Sequence, residues 1–292
     1  MSTAAFDPTA PLTPSGNLRR RRAVSRIAEY GATGAALFAV VVLGIVIYTV
    51  VSRGIGALSF DFLFTGTPTG IGPAILGTVM IVVAATAIAM PLGVLVALFV
   101  TEFAGERVTA ASRLTLDLLN GLPSIIIGLF VFALLVEFKT QSGFACSVGL
   151  AIIMLPLVAR GTQEVLLLVP GNLREAADAL GVSRWRAVLT VILPSAMGGI
   201  LTATVLAVAR AAGETAPPLL LSSVFSGKEA IFNFFGEAVP NIPVTIFSLS
   251  EEGSPDGFTR AWGASLVLIS FILFASLGAR AMHARSLRKM SS

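Results

Sequence analysis

The chain has 292 residues, of which 55% are hydrophobic and only 12% are charged, and its mean hydropathy is +0.89. A soluble domain carries roughly 25% charged residues, and half that density would leave large apolar patches exposed to water. Lipid is the solvent that fits this composition, so the net charge of +4 is not interpreted as a nucleic-acid-binding signal. The single cysteine, Cys146, excludes an intramolecular disulfide, and with the single histidine, His283, it makes no recognisable metal cluster.

Six apolar stretches approach the roughly 20 residues that a helix needs to cross the hydrocarbon core. Residues 1–18 precede them, are rich in Pro, Ser and Thr, and are expected to form a disordered cytoplasmic tail. Residues 19–292 then form the membrane domain, which we predict to be all-α with six transmembrane helices. In chain order, the predicted spans are 30–51, 75–100, 118–136, 147–168, 187 to beyond 210, and 261–279.

The placement of lysine and arginine predicts the orientation of these spans. If the chain crosses six times, fourteen of its 20 cations lie on one side and four on the other, with Arg160 and Arg210 inside spans. The positive-inside rule then places both termini in the cytoplasm. The longest external segment is predicted at residues 222–260.

One predicted cytoplasmic loop, at about residues 170–188, is longer and more patterned than the others. Asn172 is expected to cap a short helix, with Glu175 three residues later, and Gly181 is expected to end it. The apolar face of this helix comprises Leu173, Ala176, Ala177 and Leu180. Both a helix lying on lipid and a helix docked on a partner protein need one apolar face, so the pattern by itself leaves both open.

The same loop resembles the EAA motif that marks the permease subunits of bacterial ABC importers. The matching residues are Glu175, Ala176, Ala177, Gly181, Val191, Leu193 and Pro194, with Val191 where the family usually has Ile. The resemblance implies a MetI-like ABC importer permease fold and a coupling helix that contacts a separate ATPase subunit. The coupling residues that it designates are Glu175, Ala176, Ala177, Leu180 and Gly181.

Span five carries a charged pair. An arginine inside a span costs about 2.5–3.5 kcal/mol on insertion scales, so Arg210 must face protein or water. Glu214 follows four residues later, at a spacing that lets the side chains meet on one helix face. Either the pair neutralises itself to hold helices together, or Arg210 offers a fixed cation to a tetrahedral oxyanion, which suits the guanidinium fork. Pro217 and Pro218 are expected to disrupt the helix just beyond the pair, beside a cavity.

The stretch from Ala209 to Pro217 resembles a signature of the permeases of phosphate importers, although Pro218 adds a second proline to it. The further stretches that agree are Asn120–Phe130, Leu168–Arg174, and Ile242–Phe247 together with Ala261–Ala264. Ile242–Phe247, followed by Ala261–Ala264, is more similar to the PstA permeases than to their PstC partners. The resemblance covers nearly all of the chain after the tail. It implies the permease subunit of an ATP-driven phosphate importer in a bacterial inner membrane.

Two further residues join Arg210 and Glu214 in the predicted substrate pathway. Thr215 belongs to the phosphate-importer signature. Ser124 follows Pro123 at the start of span three, where free backbone amides could meet an anion. A Pro-Ser pair also serves simply to shape a helix end, and that alternative stays open.

Span four contains a second charged pair. Arg160 and Glu164 repeat the i, i+4 spacing. They are expected near the inner interface, where long side chains can extend to water. We interpret them as structural or coupling residues and not as substrate ligands.

The resemblance also implies partners. These are a PstC-like second permease, two PstB-like ATPase subunits that hold ATP and Mg, and a PstS-like external phosphate-binding protein. The chain has no Walker A, H-E-x-x-H or G-x-S-x-G pattern, so we expect a non-catalytic subunit that binds neither ATP nor a metal. Two alternatives stay open: a sulfate or molybdate permease, which would keep the coupling loop, and a secondary transporter, which would not need it.

Overall fold

The structure is a computed structural model that describes the backbone of residues 18–66, 69–137, 140–224 and 233–290. The side chains of residues 18, 19 and 279–290 fall outside this description, as does the predicted tail up to residue 17. Within the described ranges the regular structure is helical, and no strand occurs. The chain divides into two units, residues 1–51 and 52–292.

The first unit contains most of α1, which runs from Leu18 to Gly54. This helix covers the first predicted span, and its uncharged stretch, residues 30–52, is long enough to cross one membrane thickness. Large apolar side chains such as Leu37, Phe38 and Val40 are exposed along it. Such a surface is stable in lipid and unfavourable in water.

The second unit contains the remaining helices, three of which continue through a π-helical turn. In chain order they are α2 (Phe60–Phe64), α3 (Gly72–Leu98, then a π-turn Phe99–Phe103), α4 (Glu106–Gly121), α5 (Ser124–Val131, then a π-turn Phe132–Val136), α6 (Gly143–Leu168), α7 (Gly171–Ala179), α8 (Arg184–Ala187, then a π-turn Val188–Ile192), α9 (Leu193–Ala212), α10 (Ala216–Leu221), α11 (Ile242–Glu251) and α12 (Pro255–Met290).

Five helical segments of the described chain are long and apolar enough to cross a membrane, and there are six if one bent pair counts as a span. The bent pair is the predicted third span, 118–136. It is not one straight helix, because α4 and the segment Ser124–Val136 meet at 95°. Pro123 lies at the bend, and the residue before a proline is disfavoured in the helical conformation. Residues 118–121 therefore belong to α4, which is a separate and more polar helix.

The second unit is packed around α6, whose N-terminus is capped by the Ser142 hydroxyl accepting the amide of Ala145 at 3.1 Å. Met154 and Val158 on α6 are fully buried. Glycines allow the neighbouring helices to approach it closely. A Cβ added at Gly93 of α3 would lie 2.9 Å from Val158, which is closer than side chains tolerate. Small residues at such positions are how membrane helices gain packing energy without a hydrophobic driving force.

The predicted external segment, 222–260, is partly helical and is held to the bundle by buried hydrogen bonds. Ser222 donates through its hydroxyl to the carbonyl of Val239 at 3.0 Å and accepts that residue's amide at 2.7 Å. Asn241 caps α11 by accepting the amide of Val244 at 3.1 Å. Because buried polar groups need partners, these bonds hold the returning chain against the end of α10.

We expect Gly77→Ala to destabilise the second unit by about 1–3 kcal/mol, as overpacking does. A Cβ at this position would overlap the carbonyl oxygen of Pro240 and reach Val239. Gly44→Ala, also inside a helix but with no atom within 4 Å of its Cβ, is the control and should be neutral or slightly stabilising. Thermal unfolding of the detergent-solubilised protein measures both, and equal midpoints would contradict the close contact.

Candidate functional site

The first candidate site is the break between α9 and α10. The helix ends at Ala212, where the amide of Gly213 bonds to the carbonyl of Arg210 at 3.1 Å. The break therefore comes before the prolines, and the expectation that they disrupt the helix beyond the charged pair is wrong. Pro217 and Pro218 lie in the first turn of α10, where amides have no helical acceptor and a missing donor is harmless.

The predicted charged pair lies across this break, with Arg210 in the last turn of α9 and Glu214 beyond the helix end. Arg210 Nε lies 3.8 Å from Glu214 Oε1, and 50% of the Arg210 side chain is exposed against 17% for Glu214. That separation is too long for a hydrogen bond. Within the described residues, no acceptor is within hydrogen-bond distance of the N–H groups of the Arg210 guanidinium. Its N–H groups are therefore available to another ligand, so the pair neutralises itself only in part.

Glu214 also lines a small cavity that connects the break to three other helices. The cavity has a volume of about 10 Å³, room for about one water molecule. Its polar lining includes Thr78 of α3 and Asn241, which precedes α11, and Leu150 of α6 completes one wall. A change in the position of any of these helices would therefore change the shape of the cavity that Glu214 lines.

The other two predicted pathway residues are placed differently. Thr215 lies in the same break, exposed, as the residue before α10. Ser124 is half-buried as the first residue of α5, just after the 95° bend and the N-cap residue Pro123. Further along α5, Gly128 lies against Pro217, since a Cβ there would be 3.2 Å from the proline Cα. Thus α5 packs beside the break, but within the described residues no hydrogen bond or ion pair joins Ser124 to the charged pair.

The second candidate site is the predicted coupling loop, which contains α7 and α8. Its helix begins directly after Pro170, and no side chain caps it, so the expected cap at Asn172 is wrong. The expected end at Gly181 is confirmed. Gly181 has φ +68°, and the amide of Val182 bonds to the carbonyl of Ala177 at 3.0 Å. This is the Schellman arrangement, which favours glycine at the left-handed position.

The predicted apolar face of α7 is divided between the chain's own interior and the outside. Ala177 is buried, whereas Ala176 and Glu175 are exposed. Leu180 is 81% exposed at the end of the helix. An apolar side chain presented so fully at a helix end is available to a partner surface.

Sequence reasoning missed the residue that holds α7 in place. Glu102, in the π-turn after α3, is 4% exposed and accepts a hydrogen bond from Nη2 of Arg174 at 2.8 Å. No local sequence pattern pairs Glu102 with Arg174. The available signal was the position of Glu102, the first charge after the uncharged stretch 62–101.

The charged pair predicted within α6 is not formed. Arg160 makes an ion pair with Asp117 of α4 and donates to the carbonyl of Arg113 at 3.2 Å. Glu164 is exposed and lines a groove between α6 and α9. The spacing allowed Arg160 and Glu164 to meet, but Arg160 pairs instead with Asp117 of the neighbouring helix α4.

Residues 89–291 match the family described as "Binding-protein-dependent transport system inner membrane component". Curated relatives share substantial identity over most of the chain. A phosphate transport system permease protein PstA from Haemophilus influenzae is 38% identical over 80% of this chain and 85% of its own length. PstA 1 from Mycobacterium tuberculosis is 33% identical over 96% of this chain and 94% of its own length.

Solved structures agree in fold. A chain of a bacterial alginate ABC transporter superposes with a TM-score of 0.67 at 14% identity, covering 92% of this chain and 98% of that one. A chain of the MetNI methionine ABC transporter, in an inward-facing conformation, superposes with a TM-score of 0.59 at 17% identity and covers 78% of this chain and 99% of that one. At these identities the likeness shows a common fold and nothing more.

We expect Gly181→Ala to loosen the end of α7, because a Cβ in the left-handed region is strained by about 1–2 kcal/mol. Hydrogen exchange of a peptide covering residues 176–183 should become faster. Gly171→Ala, at the other end of the same helix with open space around its Cβ, should leave that exchange unchanged. Equal exchange in both variants would contradict the assigned helix end.

Proposed function

Because this chain belongs to the binding-protein-dependent transport system inner membrane components, and among them to the PstA-type permeases, we propose that it forms half of the pathway of an ATP-driven importer of inorganic phosphate. The chain is a multi-pass membrane protein, and we place it in a bacterial inner membrane with both termini in the cytoplasm. The observation that supports a role in the pathway is the half-exposed Arg210 guanidinium at a helix break.

Arg210 provides the cation for the passing anion. A half-exposed arginine at the end of α9 has no other described side-chain partner than Glu214, which is 3.8 Å away. Its N–H groups fit two oxygens of a tetrahedral phosphate at once. Glu214 restrains Arg210 and weakens its hold on the anion, so that phosphate passes and is not trapped. Thr215 and Ser124 supply hydroxyls along the same path.

The coupling loop, residues 170–188, receives the ATPase. Ala177 is buried in the chain's own interior, while Glu175, Ala176 and Leu180 face outward and Gly181 keeps the helix short. An exposed apolar residue beside a carboxylate suits a groove on a partner better than bulk water. Lipid would also accept the exposed Leu180, so it is the resemblance of this loop to the EAA motif that supports docking over a helix lying on lipid.

Transport then proceeds by alternating access in a complex of several chains. A PstC-like permease supplies the second half of the pathway, and a PstS-like protein delivers phosphate from outside. Two PstB-like subunits hold ATP and Mg and carry out hydrolysis, so this chain itself is non-catalytic. Closure of the ATPase pair moves the coupling loop and opens the central cavity between the two permeases to the outside. Hydrolysis of ATP returns that cavity to its inward-facing state.

Arg210→Ala should reduce ATP-driven phosphate uptake at least tenfold while the complex still assembles, because the pathway loses its cation. Arg210→Lys should retain part of the uptake, since the charge remains but the fork is lost. The matched control is Arg113→Ala, which removes an exposed cation from α4 and should transport normally. Uptake of radiolabelled phosphate by the reconstituted complex measures all three.

Competition in the same assay separates phosphate from other oxyanions. Unlabelled phosphate should compete fully, and sulfate or molybdate should compete weakly. Strong competition by sulfate or molybdate would favour a different oxyanion importer, and uptake without ATPase subunits would favour a secondary transporter. Normal uptake by the Arg210→Ala complex would remove this residue from the pathway.

Leu180→Ala should lower the amount of ATPase that co-purifies with the permease, because the exposed side chain would lose its pocket on the partner. Leu118→Ala is the control: it removes an equivalent side chain, 64% exposed, from α4. The ratio of ATPase to permease after affinity purification is the measurement. An unchanged ratio for Leu180→Ala would contradict docking through this residue.

A further inference from the structure

The guanidinium of Arg174 joins the coupling loop to two other segments of the chain, the π-turn after α3 and the end of α6. Arg174, in α7, donates from Nη2 to Glu102 Oε1 at 2.8 Å and from Nε to the two carboxylate oxygens at 3.3 and 3.4 Å. It also donates to the carbonyls of Val169 at 2.9 Å and Leu166 at 3.0 Å. Those carbonyls belong to the end of α6, where helix carbonyls lack internal partners and the helix dipole favours a cation. The ends of α3 and α6 and the start of α7 therefore share one side chain.

A second contact joins the same π-turn to the other half of the loop. The rings of Phe103 and Trp185 lie 5.0 Å apart, centroid to centroid, and the Arg184 guanidinium lies 5.6 Å from the Phe103 ring. Arg184 and Trp185 are in α8. Two adjacent residues after α3 thus hold both α7 and α8, so the loop cannot shift freely past α3.

The helix held in this way reaches the other candidate site. Thr78, near the start of α3, lines the cavity against Glu214, with Ile81 and Val82 beside it. From Thr78 to Glu102 the chain advances 24 residues, roughly 36 Å of helix. Pro91 lies inside α3 between the two residues, but the helix runs without a break from Gly72 to Leu98 and continues into the π-turn that holds Glu102. A displacement applied at Glu102 is therefore carried along one connected helix to the cavity beside Glu214.

We propose that the Glu102–Arg174 pair is the mechanical link that converts movement of the docked coupling loop into movement of α3 at the Arg210–Glu214 break. This inference rests on the proposed function and adds residues that act between the two sites. Glu102 and Arg174 touch neither phosphate nor ATP; they are positioning residues. The Phe103–Trp185 contact supports the link on the α8 side.

The burial of Glu102 explains why an ion pair serves this purpose. A carboxylate that is 4% exposed cannot be left without its partner, so α7 cannot detach from α3 without exposing or stranding a charge. An apolar contact would permit sliding, because dispersion forces have no direction. The guanidinium, bonded to oxygens on α3 and after α6, fixes distance and orientation together.

The test measures phosphate transported per ATP hydrolysed in the reconstituted complex. Glu102→Gln and Arg174→Gln should each assemble and hydrolyse ATP, yet lower this ratio at least fivefold. The double variant should be no worse than either single variant, because both changes break one interaction. Glu106→Gln, which alters an exposed carboxylate in the first turn of α4, outside the coupling loop, is the control and should keep the native ratio.

A second variant distinguishes loss of coupling from misfolding. Glu102→Leu combined with Arg174→Met removes both charges and refills the space, a replacement that buried ion pairs often tolerate. It should assemble stably but remain uncoupled. A native ratio of phosphate transported to ATP hydrolysed in this variant would overturn the link.

A readout independent of phosphate separates this inference from the proposed function. The native cysteine, Cys146, is buried, so a thiol reagent added to a Thr215→Cys complex reports on the helix break. Adding ATP should change the labelling rate at position 215, and Glu102→Gln should abolish that change. An ATP-dependent change in this variant, together with no phosphate uptake by the complex that keeps Thr215, would reject the phosphate assignment and leave the link standing. An equal ATP-dependent change in the Glu102→Gln complex would reject the link.

Discussion

The close approach of helices around α6 is the constraint on which the rest of the structure depends. In lipid, apolar side chains gain nothing by leaving their surroundings, so helices associate through tight packing and satisfied polar groups. Glycines at the α3–α6 and α6–α9 contacts meet this requirement. A Cβ added at Gly161 would lie 2.5 Å from Ala203 on α9, and one at Gly149 would lie 2.7 Å from Leu221 on α10. Because α6 is packed this tightly, the elements at its two ends have defined positions.

The polar groups lie at the ends of this packed bundle, and each end uses them differently. At one end, Ser222 and Asn241 satisfy buried backbone groups and hold the returning chain in place. At the other end, Arg174 satisfies carbonyls after α6 and the buried Glu102. The bonds of Ser222 and Asn241 hold the returning chain against neighbouring residues. The bonds of Arg174 join the coupling loop, which we propose to move with the ATPase, to the long helix α3, and this arrangement suits transmission of movement.

Arg210 stands apart from both sets, because its charge is only partly compensated. Glu214 is near enough to attract it and too far to bond it directly. A fully paired arginine would stabilise the bundle and bind no anion, whereas an isolated one would hold an anion too firmly. The helix break supplies the intermediate case by separating the two residues across Gly213, so that they no longer share a continuous helix face.

The sequence by itself determined the membrane class, the approximate spans, the Gly181 end of the helix in the loop at residues 170–188, and the proximity of Arg210 and Glu214. These features follow from composition, apolar length and local spacing, which act within one segment. The tertiary structure alone decided three other features: the 95° bend at Pro123, the partner of Arg160 and the pairing of Glu102 with Arg174. Glu102 and Arg174 are 72 residues apart in the chain. No local pattern records such a pair, because the two residues meet only after α3 and α6 pack side by side.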